Sequence, residues 1–157
     1  MCEQITINIE IKPHLKKYLI ATYNQEPVQF PYRHNYNRFL VHNITKPPKD
    51  FKIVPANENT ICIALPKNNL KDISSFNFLS ENKKTDFKNE IEEDFWTDAK
   101  EYINSKMKDD KLNKKEAIIL LMKMWNILES ELTFDAIYKH FQRERKKHTL
   151  LFTFSIF

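Results

Sequence analysis

Glycine is absent from all 157 residues, although typical usage of about 7% would supply roughly eleven. Without it, the Gly-rich loops that cradle phosphates in nucleotide-binding folds are excluded. Any backbone position at positive φ must fall to Asn or Asp, with some strain. Only two cysteines are present, Cys2 and Cys62. They offer neither a disulfide framework nor metal-ligand spacing, so a reduced, cytoplasmic setting is expected. No apolar run reaches the length of a bilayer span and the N-terminus lacks a signal-peptide pattern, so no membrane partner is expected. Arginine is scarce, four residues against 21 lysines, which makes the placement of each arginine informative.

What remains is a chain able to fold. Hydrophobic residues make up 41% of it, with twelve Phe and six Tyr, enough to build a core. The net charge is only +4, but it is unevenly spread. Residues 81–101 hold eight acids and four bases, whereas residues 139–148 hold five bases and one acid. A chain polarised in this way can present a basic face to a polyanion.

The N-terminal half reads as α+β. Ile5, Ile7, Ile9 and Ile11 alternate with Thr6, Asn8 and Glu10, the pattern of a half-buried strand. Pro13 suits the first turn of a helix over 14–23, with Leu15, Tyr18, Leu19 and Thr22 on its inner side and Asn24 as a left-handed cap. A second helix, 36–45, is expected after Asn35, with Tyr36, Phe39, Leu40 and Ile44 inward and Arg33, His34, Arg38 and His42 outward. Phe51–Val54 and Thr60–Leu65 then suggest a hairpin around ANEN. The opening strand and basic helix resemble the start of ribbon-helix-helix repressors, whose outward strand residues read the major groove. The later helices do not match that family's compact length, and Glu10 suits a phosphate-lined groove poorly.

The C-terminal half is helical. Thr85 is expected to cap a helix over 86–107, with Phe87, Ile91, Phe95, Ala99, Tyr102 and Ile103 in one stripe. Asn113 and Glu116 have capping-box spacing before a helix over 114–125. Asn126 is placed for a left-handed stop, closed by Ile127. Thr133 should cap a last helix running to about 147, with Asp135 favourable to its dipole. The expected architecture is therefore α+β: a small antiparallel sheet with helices over residues 1–66, a connector over 67–84, a trihelical, helix-turn-helix-like domain over 85–148, and a strand or tail over 149–157.

The last helix carries the functional signal. Phe134, Ile137, Tyr138 and Phe141 fall at i, i+3, i+4 and i+7, an inner face. Lys139, Gln142, Arg143 and Lys146 share the opposite one. Arginine can bridge guanine O6 and N7, and glutamine adenine N6 and N7, so Gln142 and Arg143 are the candidate base readers. Lys139, Arg145, Lys146 and Lys147 are candidate phosphate contacts, which position without specifying. Arg33 and Arg38 are candidates for a second basic patch. A cationic last turn also simply complements the helix dipole, which is the structural alternative.

The segments FNFLSENKKTDFKNEIEEDFW (76–96) and AIYKHFQRERKKH (136–148) resemble small proteins of phages and conjugative elements in gut bacteria. The ending Ile137, Lys139, Phe141, Gln142, Arg143 and Arg145 carries that resemblance, which covers roughly the last 75 residues. It implies a mobile-element setting compatible with DNA binding.

Other chemistry finds little support. The histidines, His14, His34, His42, His140 and His148, form no i, i+4 pair, so no zinc site is expected. Adjacent acids such as Glu92–Glu93 and Asp109–Asp110 do not converge as a two-metal nuclease needs, and Asp50 with Lys52 only faintly resembles a nuclease acid–lysine pair. No catalytic residue, cofactor or small-molecule substrate is expected. The tail TLLFTFSIF reads as a strand that must pair with the sheet of this chain or of a second copy. The latter would make a homodimer suited to DNA half-sites. The expected function is duplex DNA binding, as a transcription regulator or accessory factor. The alternative is a non-enzymatic interaction or structural protein.

Overall fold

The computed structural model describes residues 4–67 and 71–143. Arg145, Lys146, Lys147, His148 and the tail 149–157 lie outside the described residues. Among the described residues the architecture is α+β, a two-stranded antiparallel sheet and five helices. They are β1 (Thr6–Glu10), α1 (Pro13–Tyr23), α2 (Asn35–Asn43), β2 (Thr60–Ala64), α3 (Glu81–Asp109), α4 (Lys114–Met124) and α5, residues 134–143. No helix among them is long and apolar enough to cross a membrane. The chain forms two compact units, Met1–Phe95 and Trp96–Phe157, and α3 runs through the boundary.

In the first unit β1 pairs with β2, with Ile7 opposite Ile63 and Ile9 opposite Ile61. Ile9, Ile61 and Ile63 are fully buried, as the alternation of β1 requires. The expected hairpin does not form. Residues 51–54 are not a strand, and Ile53 is 82% exposed. The turn signals still act locally: Asn57 accepts the Asn59 amide on Oδ1 and the Thr60 amide on its carbonyl. Both edges of β2 are taken, however. β1 occupies one. On the other, the Val28 amide donates to Cys62 O at 2.8 Å and the Ala64 amide to Val28 O at 2.9 Å. A five-residue alternating strand outcompetes a four-residue run that ends at a proline.

α1 begins with Pro13 at its first turn and stops at Asn24, φ 54°, whose amide bonds Ile20 O. Leu15, Tyr18 and Leu19 are buried. Thr22 is exposed and back-bonds Tyr18 O; His14 takes the inner place instead, 5.3 Å from the Phe95 ring. α2 is capped by His34, not Asn35: the His34 Nδ1 accepts the Tyr36 amide at 3.2 Å. His34 is therefore half-buried among Tyr23, Phe30 and Tyr36 and does not join the outward cations.

Phe87 lies at the centre of an aromatic cluster with Phe30, Tyr36 and Phe39, at ring separations of 5.3 to 6.0 Å. Burying Phe87 completely contributes about 1.5–3 kcal/mol. The Tyr36 hydroxyl donates to the Asp94 carboxylate. Burial, then that carboxylate, push its ionisation well above the usual tyrosine range. The first helix of the C-terminal half starts earlier than its sequence suggests. α3 opens at Glu81, and Ser80 precedes it, accepting the Lys83 amide on its hydroxyl and the Lys84 amide on its carbonyl. Thr85 sits inside the helix and back-bonds Glu81 O at 3.0 Å. Residues 81–84, expected in the connector, are its first turn.

In the second unit, Ala99 and Ile103 of α3 are buried, as are Ala117, Ile118 and Leu121 of α4. The capping box forms in both directions: the Glu116 amide donates to Asn113 Oδ1 and the Asn113 amide to the Glu116 carboxylate, each at 3.0 Å. α4 ends in a Schellman motif. Asn126 has φ 52°, its amide bonds Lys123 O, and the Ile127 amide bonds Met122 O at 2.8 Å. Two of the three positive-φ residues described are thus asparagines; the third is Lys111, where a longer side chain bears the strain.

Candidate nucleic-acid interface

α5 is started by two side chains. The Thr133 hydroxyl accepts the Ala136 amide at 3.1 Å, and both Glu129 oxygens accept the Phe134 amide. These satisfy donors that a helix start leaves open, and the Glu129 charge favours the dipole. Within the unit, Ile137 and Phe141 are buried. Phe134 and Tyr138 are half-buried and stacked on each other, and the Lys114 ammonium lies 5.4 Å from the Tyr138 ring centre. Trp96 of α3 lies flat on His140, with ring centres 3.9 Å apart and planes within 10°. Trp96 is half-buried rather than fully within the core.

This packing fixes which side of α5 meets solvent. Lys139, Gln142 and Arg143 are all exposed. At about 100° per residue they fall within roughly 100° of helix circumference, so they share one face. Asp135 lies on the same stripe one turn earlier, and Lys139 pairs with it at 2.6 Å, both side chains more than 60% exposed. Exposed pairs of this kind contribute only about 0.3–0.5 kcal/mol, little enough for a phosphate to displace the acid. The stripe therefore runs from acid at the helix start to cation at its described end, in line with the dipole.

Arg33 and Arg38 belong to the first unit. Both are exposed. Arg33 precedes α2, and the Arg38 guanidinium donates to Asn35 Oδ1. His42 follows one turn after Arg38 on the same side of α2 and is also exposed. The eight candidate residues thus divide into an α5 set, an α2 set and the three outside the described residues.

Nine residues, 125–133, connect α4 to α5, against the three or four of a tight helix-turn-helix. They are ordered by the Schellman motif and by Glu131, whose carboxylate accepts the Leu128 amide at 2.9 Å. The same connection opens a groove of about 550 Å³ lined by Ile119, Met122, Leu128 and Phe134. Ile119, Leu120, Met124 and Leu128 are exposed beside it, Leu128 at 52%. Sequence reading passed over this outer side of α4. The signal was available: KEAIILLMKM is apolar on both sides.

A second feature was missed. Lys84 is buried, 9% exposed. It stands three residues before Phe87 and seven before Ile91, on the inward stripe of α3, so its spacing marked it. Among the described residues, no group of three or more His, Cys, Asp or Glu side chains could hold a metal ion. No known family model, curated protein or solved structure matches this chain.

Proposed function

We propose that the C-terminal unit contacts duplex DNA through the outward face of α5, as a transcription regulator or accessory factor of a mobile element. The observation that carries the reading is the shared exposure of Lys139, Gln142 and Arg143 on one face of a helix whose inner face is packed. The chain continues from it into Arg145, Lys146 and Lys147. On this reading Gln142 and Arg143 pair with base edges, and the lysines supply phosphate contacts. Nine residues between α4 and α5 exceed the turn of a helix-turn-helix, so the reading rests on the exposed face of α5 and not on that motif.

The test is a shift assay on generic duplex at two ionic strengths. Binding should weaken steeply with salt, and replacing Lys146 and Lys147 by Gln should lower the log–log slope by about 0.9 per lost contact. Arg143→Ala should relax sequence preference by about 1–3 kcal/mol at one base pair. Absence of any binding at low salt sinks this reading.

A second reading, a protein-docking unit, is favoured by one observation: the exposed apolar residues of α4 and the 125–133 connection. Contiguous apolar surface of this kind marks interaction sites.

A further inference from the structure

The first unit holds a cleft that the nucleic-acid reading does not use. It has a volume of about 330 Å³, within the range of small-ligand sites and equal to the liquid volume of about eleven waters. Its walls are apolar, chiefly Ile5, Ile7, Phe51, Phe78 and Leu79. It runs along the edge of β1 that β2 leaves open. Leu65 donates to Ile5 O, and Ile11 to Asn59 O. The odd-numbered backbone groups of β1 therefore face β2, and those of Thr6 and Asn8 face the other way, where both residues line the cleft.

Two polar side chains in this lining are unusual. The Lys84 side chain is only 11% exposed, and its ammonium pairs at 2.7 Å with Glu81, itself 82% exposed. A buried cation held by one exposed carboxylate keeps donors in reserve, because an ammonium has three. Asn8 donates from Nδ2 to Val54 O at 2.8 Å, while its Oδ1 is buried with no hydrogen-bond partner. Such an acceptor is costly to bury unless something donates to it. A cation and an acceptor in one apolar cleft specify the complementary ligand.

We propose that this cleft binds a small amphiphilic carboxylic acid bearing a hydrogen-bond donor on its chain. The carboxylate replaces Glu81 on Lys84, the donor meets Asn8 Oδ1, and the hydrocarbon fills the space between Phe51 and Phe78. The proposal is independent of DNA binding.

Calorimetric titration of the full chain with octanoate, 3-hydroxyoctanoate and 1-octanol tests it. The hydroxy acid should bind most tightly and the alcohol most weakly, with about tenfold between alcohol and octanoate, the worth of one charge-assisted hydrogen bond. Lys84→Met should abolish the preference for acid over alcohol, and Asn8→Leu the preference for the hydroxy acid. Circular dichroism verifies that both variants fold. Glu81→Gln alters an exposed side chain and removes the competitor for Lys84, so it should tighten octanoate binding. Equal binding of alcohol and acid, no binding by any probe, or an unchanged octanoate affinity in Glu81→Gln would each overturn the proposal.

Discussion

The two compact units use the same kinds of residue to opposite ends. The first, with 95 residues, turns its chemistry inward: an aromatic cluster around Phe87, a buried Lys84, and a hydroxyl–carboxylate bond between Tyr36 and Asp94. Among the described residues it leaves two large hydrophobics exposed, Tyr32 and Ile53. The second, with 62 residues, leaves four of its described residues of this kind exposed, all on α4 or just after it, and carries twelve basic against nine acidic residues. α4 has apolar residues on both faces, and among the described residues its outer face is left exposed. Among the described residues, the first unit holds a cleft and the second leaves apolar side chains of α4 at its surface.

Changes of decreasing size probe that contrast. The largest should come from Phe87→Ala. It removes the ring at the centre of the first unit's cluster, and should cost about 3–5 kcal/mol, read as a lower midpoint in chemical denaturation. Both tryptophans, Trp96 and Trp125, lie in the second unit, so their emission follows that unit and far-UV circular dichroism follows both. A Phe87→Ala protein as stable as the parent would deny the first unit its inward core.

Asn113→Ala should act in the second unit. It breaks the reciprocal capping box of α4 and should cost about 1 kcal/mol, a fall of about 2–4 °C in melting temperature for a chain of this size. Tryptophan emission is the appropriate probe.

The smallest effect expected is that of Glu90→Gln. Partial burial, then repulsion from Asp94, Glu93 and Asp86, hold the Glu90 carboxyl above its ordinary range. Because its folded pKa is raised, the ionised group opposes folding at neutral pH. That penalty fades as pH falls through the folded value, and is gone below the unfolded one. The variant should therefore melt slightly higher than the parent at neutral pH and at the same temperature in acid. A stabilisation that persists in acid would show that charge is not the cause.

Much of the helical scaffold was legible beforehand because its signals are local. Pro13 at a first turn, Asn24 and Asn126 at left-handed stops, Thr133 and the Asn113–Glu116 pair at helix starts all act over four residues or fewer. The stripe Phe87, Ile91, Phe95, Ala99, Ile103 is equally local, since helical period alone sets it. Errors arose where two local signals competed. Ser80 and Thr85 can both cap a helix, and Asn35 and His34 can both close the start of α2. Packing chose between them.

By itself, the sequence determined that this chain is α+β, where most helices begin and end, and which face of α5 would carry Lys139, Gln142 and Arg143. Those features depend on period and on neighbours along the chain. Tertiary structure alone decided that β2 pairs with β1 and not with residues 51–54, that His140 lies under Trp96, and that Lys84 and Asn8 line one cleft. Each joins residues more than 40 apart in sequence. Such contacts follow from competition among distant partners for the same edge or surface, which no local pattern records.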